Sequence, residues 1–301
     1  MPSPRLPRFK RVPVSRPLHL TERDLQVIRL VARHRFLRSS QIVALLGGSS
    51  QQLLRRLNLL YHHGFLERPR AQLDYYQEGG SRHIVYGLGN KGGTLLQHER
   101  GVVHPRISWG EKNRAVGRVF LEHALLVSDV MVTLELACRR RGIRLIPGDG
   151  LVPAGRRPTF RWRVKVNGQV TLGVIPDRVF ALEFPAARGA TERAYFFLEA
   201  DRGTMPVMRR NLAQTSFYRK LLAYAATWAK DLHRSQFGFH RFRVLTVTKS
   251  APRVQTLVEA CSQLEHGQGL FLFGDRIILD GDVFASTWQT GRAGEVGNLL
   301  D

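Results

Sequence analysis

The sequence predicts a mixed α/β chain, α+β overall, that folds as two domains. Three helical patterns and then two strand-like segments occupy residues 18–101, whereas strands and helices mix along residues 113–301. The segment 102–112 contains Pro105 and Gly110 and is predicted to link the two domains. With 301 residues and a hydrophobic content of 43%, the chain is long and apolar enough to bury two cores.

Residues 1–17 differ in composition from the rest of the chain. They contain five basic residues, five prolines and no acidic residue, which predicts a disordered basic arm. Such an arm either lies on nucleic-acid phosphates or acts as a solubilising tail.

Caps and apolar spacing predict three helices after this arm. Thr21 and Asp24 form a capping-box pattern, and apolar residues at one-face helical spacing continue from there to Phe36. A second, short helix is predicted over residues 39–46. A third follows Ser49 and stops at Gly64.

Two strand-like segments come next, Phe65–Arg70 and Arg82–Leu88, with a polar turn at 78–81. Three helices followed by a β-ribbon are the element order of a winged helix-turn-helix domain. In such domains the N-terminal half of the third helix enters the major groove, where Arg recognises guanine and Gln recognises adenine. The ribbon contacts phosphates or the minor groove.

An ordinary solvated helix face is the alternative interpretation of the same residues. The adjacent arginines and the basic ribbon favour DNA contact. The predicted DNA-binding residues are Ser50, Gln51, Gln52, Arg55 and Arg56 on the third helix, and Arg68, Arg70, Arg82 and His83 on the ribbon.

The charge of the chain indicates the same class of partner. Lys and Arg number 46 and Asp and Glu 24, which gives a net charge of +22 and a pI of about 11.2. A polyphosphate partner would relieve the self-repulsion and release its condensed counterions. An acidic membrane would also relieve it, but no amphipathic helix with a wide aromatic face is evident. Double-stranded DNA is therefore favoured.

The second domain is predicted to place strands between helices. A long helix spans about 114–141 and ends in three arginines and Gly142. After it we expect strands near 143–152, 160–167, 170–183 and 193–200, a helix at 206–230, a strand at 242–248, a helix at 252–265 and a final β segment at 270–279.

Three carboxylates are the candidate chemical site of this domain. Glu199 and Asp201 are two residues apart near the end of a strand, so their side chains are expected on one face. Asp177 begins a neighbouring strand and would complete the cluster. Hard oxygen ligands of this kind suit Mg²⁺ or Mn²⁺, which would activate water and neutralise a phosphate.

Other signals exclude several classes of protein. GLGNKGG at 87–93 contains GxGxxG, but no βαβ unit surrounds it, and the chain has no GxxxxGK[ST] loop. Adjacent histidines at 62–63 do not form a two-histidine relaxase site. The two cysteines lie in apolar helical runs without metal-ligand spacing. No secretory signal or membrane-spanning run is evident, so a cytoplasmic location is expected.

The order of several motifs resembles one known family. The stretches LTERDLQVIRLVARHRFLRSSQIVALL and LLRRLNLLYHHGFLER, followed by IVYGLGNKGGTLL, LEHALLVSDVMVTL, IPDRVFAL and FFLEADRGT, resemble the replication-relaxation family of plasmids and integrative conjugative elements. The resemblance covers most of residues 20–225. It implies a DNA-binding protein of element replication or transfer.

The arrangement of the acidic residues also resembles the PD-(D/E)xK nuclease fold. That fold consists of a helix, a cluster of strands that carries the acids, and a second helix. The lysine expected two residues after Glu199 is Asp201 here, and Lys220 on the following helix is the candidate substitute. The resemblance thus implies catalytic roles for Asp177, Glu199 and Lys220. Gln214 and Tyr218 resemble a QxxxY element of one nuclease branch.

Three functions remain open at this point. The first is a sequence-specific DNA-binding protein of a mobile element with a nuclease-like domain. The second is an active Mg²⁺-dependent nickase or endonuclease, and the third is a regulator or relaxosome scaffold without catalysis. A relaxase or other conjugation protein and a second copy of the chain are the candidate protein partners.

Overall fold

A computed structural model describes residues 8–12, 17–73, 83–99, 108–152, 159–166, 168, 170–185 and 191–300. Its elements are mixed α/β, as predicted. Contacts divide the chain into a first unit, Met1–Val132, and a second unit, Thr133–Asp301. The division lies later than the predicted linker at 102–112, whose last residues belong to a short helix, Trp109–Arg114.

The first unit carries a small sheet among helices. Its strands β1 and β2 each pair antiparallel with β3. In chain order the elements are α1 (Glu22–His34), β1 (Phe36–Arg38), α2 (Ser39–Leu46), α3 (Ser50–His62), β2 (Leu66–Glu67), β3 (Val85–Leu88), α4 (Asn90–Glu99), α5 (Trp109–Arg114) and α6 (Arg118–Arg141), which continues beyond Val132.

The three predicted N-terminal helices are present as α1, α2 and α3. The Thr21 hydroxyl accepts a hydrogen bond from the Asp24 amide, and the Asp24 carboxylate accepts one from the Thr21 amide at 2.8 Å, which confirms the capping box. Helix α1 ends at His34 and not at Phe36, because Phe36 pairs with β3 in the sheet. Phe36 is fully buried there, beside Leu121 at the start of α6.

The predicted ribbon strands are shorter than expected. Residues 70–72 form a 3₁₀ turn instead of continuing β2. The side-chain amide of Gln72 takes the place of a neighbouring strand. It donates to the Val85 carbonyl at 3.0 Å and accepts from the Val85 backbone amide at 2.8 Å. The predicted turn at 78–81 lies outside the described residues.

The glycines of the GLGNKGG motif serve close packing. A Cβ on Gly89 would lie 2.3 Å from the Gly64 carbonyl oxygen, and one on Gly92 would lie 2.3 Å from that of Phe65. Real Cβ atoms do not approach that closely, so only glycine lets β3 and α4 meet the turn after α3. Close packing thus explains the glycines of this motif without a bound dinucleotide.

Part of the predicted disordered arm packs against the rest of the first unit. Arg11 donates to the carbonyls of Tyr61 and Leu66, both at 2.8 Å, and pairs with the buried carboxylate of Glu67 at 3.0 Å. The Val12 amide donates to Nδ1 of His62 at 3.2 Å. The prediction of a disordered arm is therefore wrong for residues 8–12, because Arg11 and Val12 form these long-range hydrogen bonds.

The second unit is built on a mixed sheet in the order β12-β11-β10-β9-β8-β7-β4. Strands β8, β9 and β10 are parallel, and the other neighbours are antiparallel. The strands are β4 (Arg144–Pro147), β5 (Trp162–Val166), β6 (Val170–Val174), β7 (Arg178–Pro185), β8 (Thr191–Ala200), β9 (Phe242–Thr248), β10 (Phe271–Asp275), β11 (Trp288–Thr290) and β12 (Val296–Gly297), and the helices are α7 (Phe217–Ala229), α8 (Leu232–Phe237) and α9 (Ala251–Ser262).

One aromatic core joins these elements. The β5–β6 hairpin, α7 and α9 bury apolar side chains against the central strands. Trp162 of the hairpin lies 5.3 Å from Phe197 of β8, centroid to centroid, and its indole donates to the Thr227 hydroxyl of α7 at 2.8 Å.

Both cysteines, Cys138 and Cys261, are buried as free thiols, and burial raises the pKa of each to about 12.

Two predicted elements of this unit are different in the structure. The strand expected over 170–183 is two strands, β6 and β7, interrupted before Arg178. The helix expected over 206–230 begins only at Phe217. The backbone amide of Phe217 donates to the Pro206 carbonyl at 2.9 Å. Residues 201–216 are thus an irregular segment that leads from β8 to α7.

Candidate functional site

Helix α3 exposes the N-terminal half that the sequence predicted. The Ser49 hydroxyl accepts from the Gln52 amide at 3.3 Å and caps the helix. Leucines at 53, 57 and 60 point into the core of the first unit. The opposite face leaves Ser50, Gln51, Gln52, Leu54 and Arg55 exposed.

The two adjacent arginines of α3 have different roles. Arg55 makes no hydrogen bond or ion pair within the described part of the chain and is exposed. Arg56 instead pairs with Asp24 through two hydrogen bonds, one of them 2.9 Å from Nε to Oδ1, and donates to the His19 carbonyl at 3.0 Å. The guanidinium of Arg56 therefore neutralises a carboxylate that is only 1% exposed, and its predicted contact with DNA stays a prediction.

This pair changes the titration of Asp24. Burial alone would raise the pKa of the Asp24 carboxyl, but hydrogen bonds from Arg56 and Thr21 outweigh burial and hold it below the ordinary value of 3.8. Arg56 thus ties α3 to the start of α1 and stabilises the unit.

The ribbon residues also divide into two groups. Arg68 is buried, donates to Asn58 at 2.8 Å and to the Tyr86 hydroxyl at 2.9 Å, and lies 4.1 Å above the Tyr61 ring. The prediction of a DNA contact for Arg68 is therefore wrong. Arg70 and His83 are exposed, and Arg82 lies outside the described residues.

Asp177 and Glu199 meet where β7 begins and β8 ends. The Asp177 amide donates to the Leu198 carbonyl at 3.0 Å, and the Asp177 carboxylate accepts from the Ala200 amide at 2.8 Å. Asp177 therefore lies beside the last residues of β8, as the sequence predicted. Burial is the main cause that raises the pKa of Glu199, and the charge of Asp177 adds to it.

Glu199 is held by two side chains of α7. Its carboxylate pairs with the Lys220 ammonium and accepts from the Tyr224 hydroxyl at 2.6 Å. Burial raises the pKa of Glu199, and the opposing effect of Lys220 does not cancel it. Burial also lowers the pKa of Lys220, but the carboxylates of Glu199 and Asp177 outweigh it, so this pKa lies above its ordinary value.

Asp201 has a different set of partners. Arg253 of α9 donates to both of its oxygens, at 2.7 and 3.3 Å, and the Thr248 hydroxyl donates at 2.9 Å. The Gly203 amide adds a fourth hydrogen bond at 3.0 Å. A carboxylate bound in this way is neutralised by the protein itself.

These contacts correct the predicted ligand set of Asp177, Glu199 and Asp201. Within the described ranges, no group of three His, Cys, Asp or Glu side chains has the arrangement to hold a metal ion. Arg253 and Lys220 occupy the carboxylate oxygens that Mg²⁺ or Mn²⁺ would need. These side chains thus do not converge as the predicted three-carboxylate ligand set requires.

Sequence reasoning missed two residues of this cluster. Tyr224 is four residues after Lys220 on the same helix, a spacing that would have shown that both reach Glu199. Arg253 lies in the first turn of α9, far along the chain, and no local pattern connects it to Asp201. The proposed QxxxY element is also corrected, because Gln214 lies in the irregular segment and Tyr218 in the first turn of α7.

Comparison with known proteins identifies a family. The family model described as Replication-relaxation matches residues 28–239, more than two thirds of the chain. This chain belongs to the replication-relaxation family. The family name associates it with replication. No curated protein and no solved structure matches the chain.

The match extends over both units of this replication-relaxation protein. It includes α3 and the ribbon in the first unit, and Asp177, Glu199 and Lys220 in the second. Among its described helices, none is long and apolar enough to cross a lipid bilayer.

Replacing Arg56 should destabilise this family member. Arg56→Ala leaves Asp24 buried without its cation and should cost about 2–4 kcal/mol at neutral pH, less than a fully buried pair because Arg56 remains partly exposed. Because the folded pKa of Asp24 lies below 3.8, this stabilisation is present above 3.8 and disappears as the pH falls through the folded value. Chemical unfolding at several pH values measures both effects.

Arg55→Ala is the matched control, since it removes the same side chain from the next position of α3 without breaking a pair. Equal stability of the two variants at neutral pH would contradict the structural role of Arg56.

Divalent metal should not stabilise the wild-type chain. Because Lys220 and Arg253 already neutralise the carboxylates, Mg²⁺ or Mn²⁺ should leave the melting temperature unchanged in a thermal unfolding assay. Arg253→Ala removes one of these cations and should lose about 3–5 kcal/mol. A metal-dependent rise of the wild-type melting temperature that Asp177→Asn abolishes would restore the three-carboxylate site.

Proposed function

We propose that this chain is a sequence-specific double-stranded DNA-binding protein that acts in the replication or transfer of a plasmid or conjugative element. The first unit serves as a winged helix-turn-helix domain. The observation that carries the proposal is the exposed N-terminal half of α3, with Gln51, Gln52 and Arg55, on a helix that buries its leucines at 53, 57 and 60. Among the described residues Arg55 has no partner. Family membership supports the setting.

The side chains on this face are suited to reading bases. Arg55 has five donors in a fixed fork, which match the acceptors of guanine, and each glutamine can donate and accept at adenine. Arg70 and His83 are exposed near the ribbon and would contact the backbone. The net charge of +22 supplies the sequence-independent attraction to phosphates.

The second unit, in this proposal, holds DNA or a protein partner and does not cut. The end of α6, the acid-bearing strands and α7 stand in the order that the nuclease resemblance implies. Its carboxylates are neutralised by Lys220 and Arg253, which favours the scaffold over the metal-dependent nickase. A relaxase, another conjugation protein or a second copy of the chain would be the partner.

Loss of Arg55 should remove sequence preference. Duplexes enriched by the wild-type chain from a random pool provide the test site. Arg55→Ala should weaken binding to that site by about 1–3 kcal/mol, and much less to unrelated duplexes, because a bidentate base contact is lost. Affinity of the wild type should also fall by orders of magnitude between about 50 and 200 mM salt.

Lys112→Ala is the control for charge, because Lys112 is exposed on α5 in the same unit. It should weaken all duplexes alike. If Arg55→Ala preserves the preference for the enriched site, α3 is not the reading helix.

Supercoiled plasmid that carries the enriched site should stay intact. The wild-type chain with Mg²⁺ or Mn²⁺ is expected to bind the plasmid without nicking it, because no described carboxylate cluster can hold the ion. Agarose electrophoresis measures the nicked fraction. Nicking by the wild type that is lost in both Asp177→Asn and Lys220→Ala would establish the nickase instead.

A further inference from the structure

A cavity of about 410 Å³ lies in the second unit at the amino ends of its parallel strands. It is lined by Tyr195, where β8 begins to pair with β9, by Phe242 at the start of β9 and by Leu270 before β10. The carboxylate cluster lies at the carboxyl end of β8, so the cavity is a separate site. Its volume is in the range of small-molecule binding sites.

The lining is cationic. Arg241, Arg243 and Arg292 line the cavity, and Glu192 is the one carboxylate among the described lining residues. Arg241 is exposed and has no hydrogen-bond or ion-pair partner within the part of the chain that the structure describes. Arg292 pairs with Glu295 at 3.3 Å, but both side chains are about half exposed or more, so that pair is weak. Arg241 and Arg292 are therefore available to an anion.

Two aromatic rings among the lining residues are fixed in place. Tyr195 stacks on Phe239 with centroids 4.2 Å apart and planes 16° apart. Trp228 stacks on the buried ring of His233 at 4.7 Å and 11°. Each ring is held by a partner that does not line the cavity, so little conformational freedom is lost when a planar ligand meets it.

We propose that this cavity binds a nucleotide, with the phosphate at Arg241 and Arg292 and the base against Tyr195 and Trp228. Guanidinium groups match phosphate oxygens bidentately, and aromatic side chains accept any base through its π-face. A free nucleotide and one nucleotide of a single strand share this chemistry. The inference is independent of α3, which belongs to the first unit.

Titration calorimetry with the full chain tests the site. AMP should bind the wild type more tightly than either adenosine or inorganic phosphate, because only AMP carries both groups. Arg241→Ala should weaken AMP binding about tenfold, as expected for one charge-assisted hydrogen bond. Its thermal unfolding should match that of the wild type, because Arg241 is exposed and has no partner among the described residues.

Arg276→Ala is the matched control, because this substitution removes the same charge. Arg276 is exposed and lies just beyond the opposite end of β10. This variant should keep wild-type affinity for AMP, as should Arg55→Ala, whichever way the duplex experiment turns out. A short oligothymidylate that binds more tightly than AMP would identify a single strand as the source, and the reverse order a free nucleotide.

Three results would overturn the proposal. They are no AMP binding by the wild type, equal weakening in Arg241→Ala and Arg276→Ala, and inorganic phosphate binding as tightly as AMP.

Discussion

Every buried carboxylate that the structure describes is neutralised by a basic side chain. The described residues bury five such groups, and each forms an ion pair: Asp24 with Arg56, Glu67 with Arg11 and Arg114, Glu183 with Arg144 and Arg193, Glu199 with Lys220, and Asp201 with Arg253. A buried charge without a partner costs several kcal/mol. These pairs fix the docking of α3, the ribbon, the edge of the large sheet and the start of α9.

The same constraint explains which predictions were right. Local patterns predicted the capping box at Thr21, the short helix α2 and the exposed half of α3, because cap hydrogen bonds and apolar spacing act between near neighbours. Partners far apart in the chain leave no local pattern. Arg56 and Arg68 looked like surface residues because nothing near them shows that Asp24 or Tyr86 will lie against them.

The carboxylate site shows this limit most clearly. The strand pattern placed Asp177 beside Glu199 correctly, and the helix after β8 did supply Lys220. The sequence could not show that Arg253, some fifty positions after Asp201, would take both oxygens of that carboxylate. A cluster of acids in a sequence is therefore weak ground for a metal site when the chain has many more cations than acids.

The docking of Arg11 affects how the chain can be engineered. A shortened protein that begins after residue 12 would lack one of the two arginines that neutralise Glu67, leaving only Arg114, and would lose the hydrogen bonds to Tyr61 and Leu66. Such a truncation would loosen the turn that connects α3 to β2. Expression vectors and affinity tags should therefore preserve residues 8–12. Otherwise, weaker nucleic-acid binding by a shortened protein could result from a loosened first unit and be wrongly attributed to the loss of basic residues in the N-terminal arm.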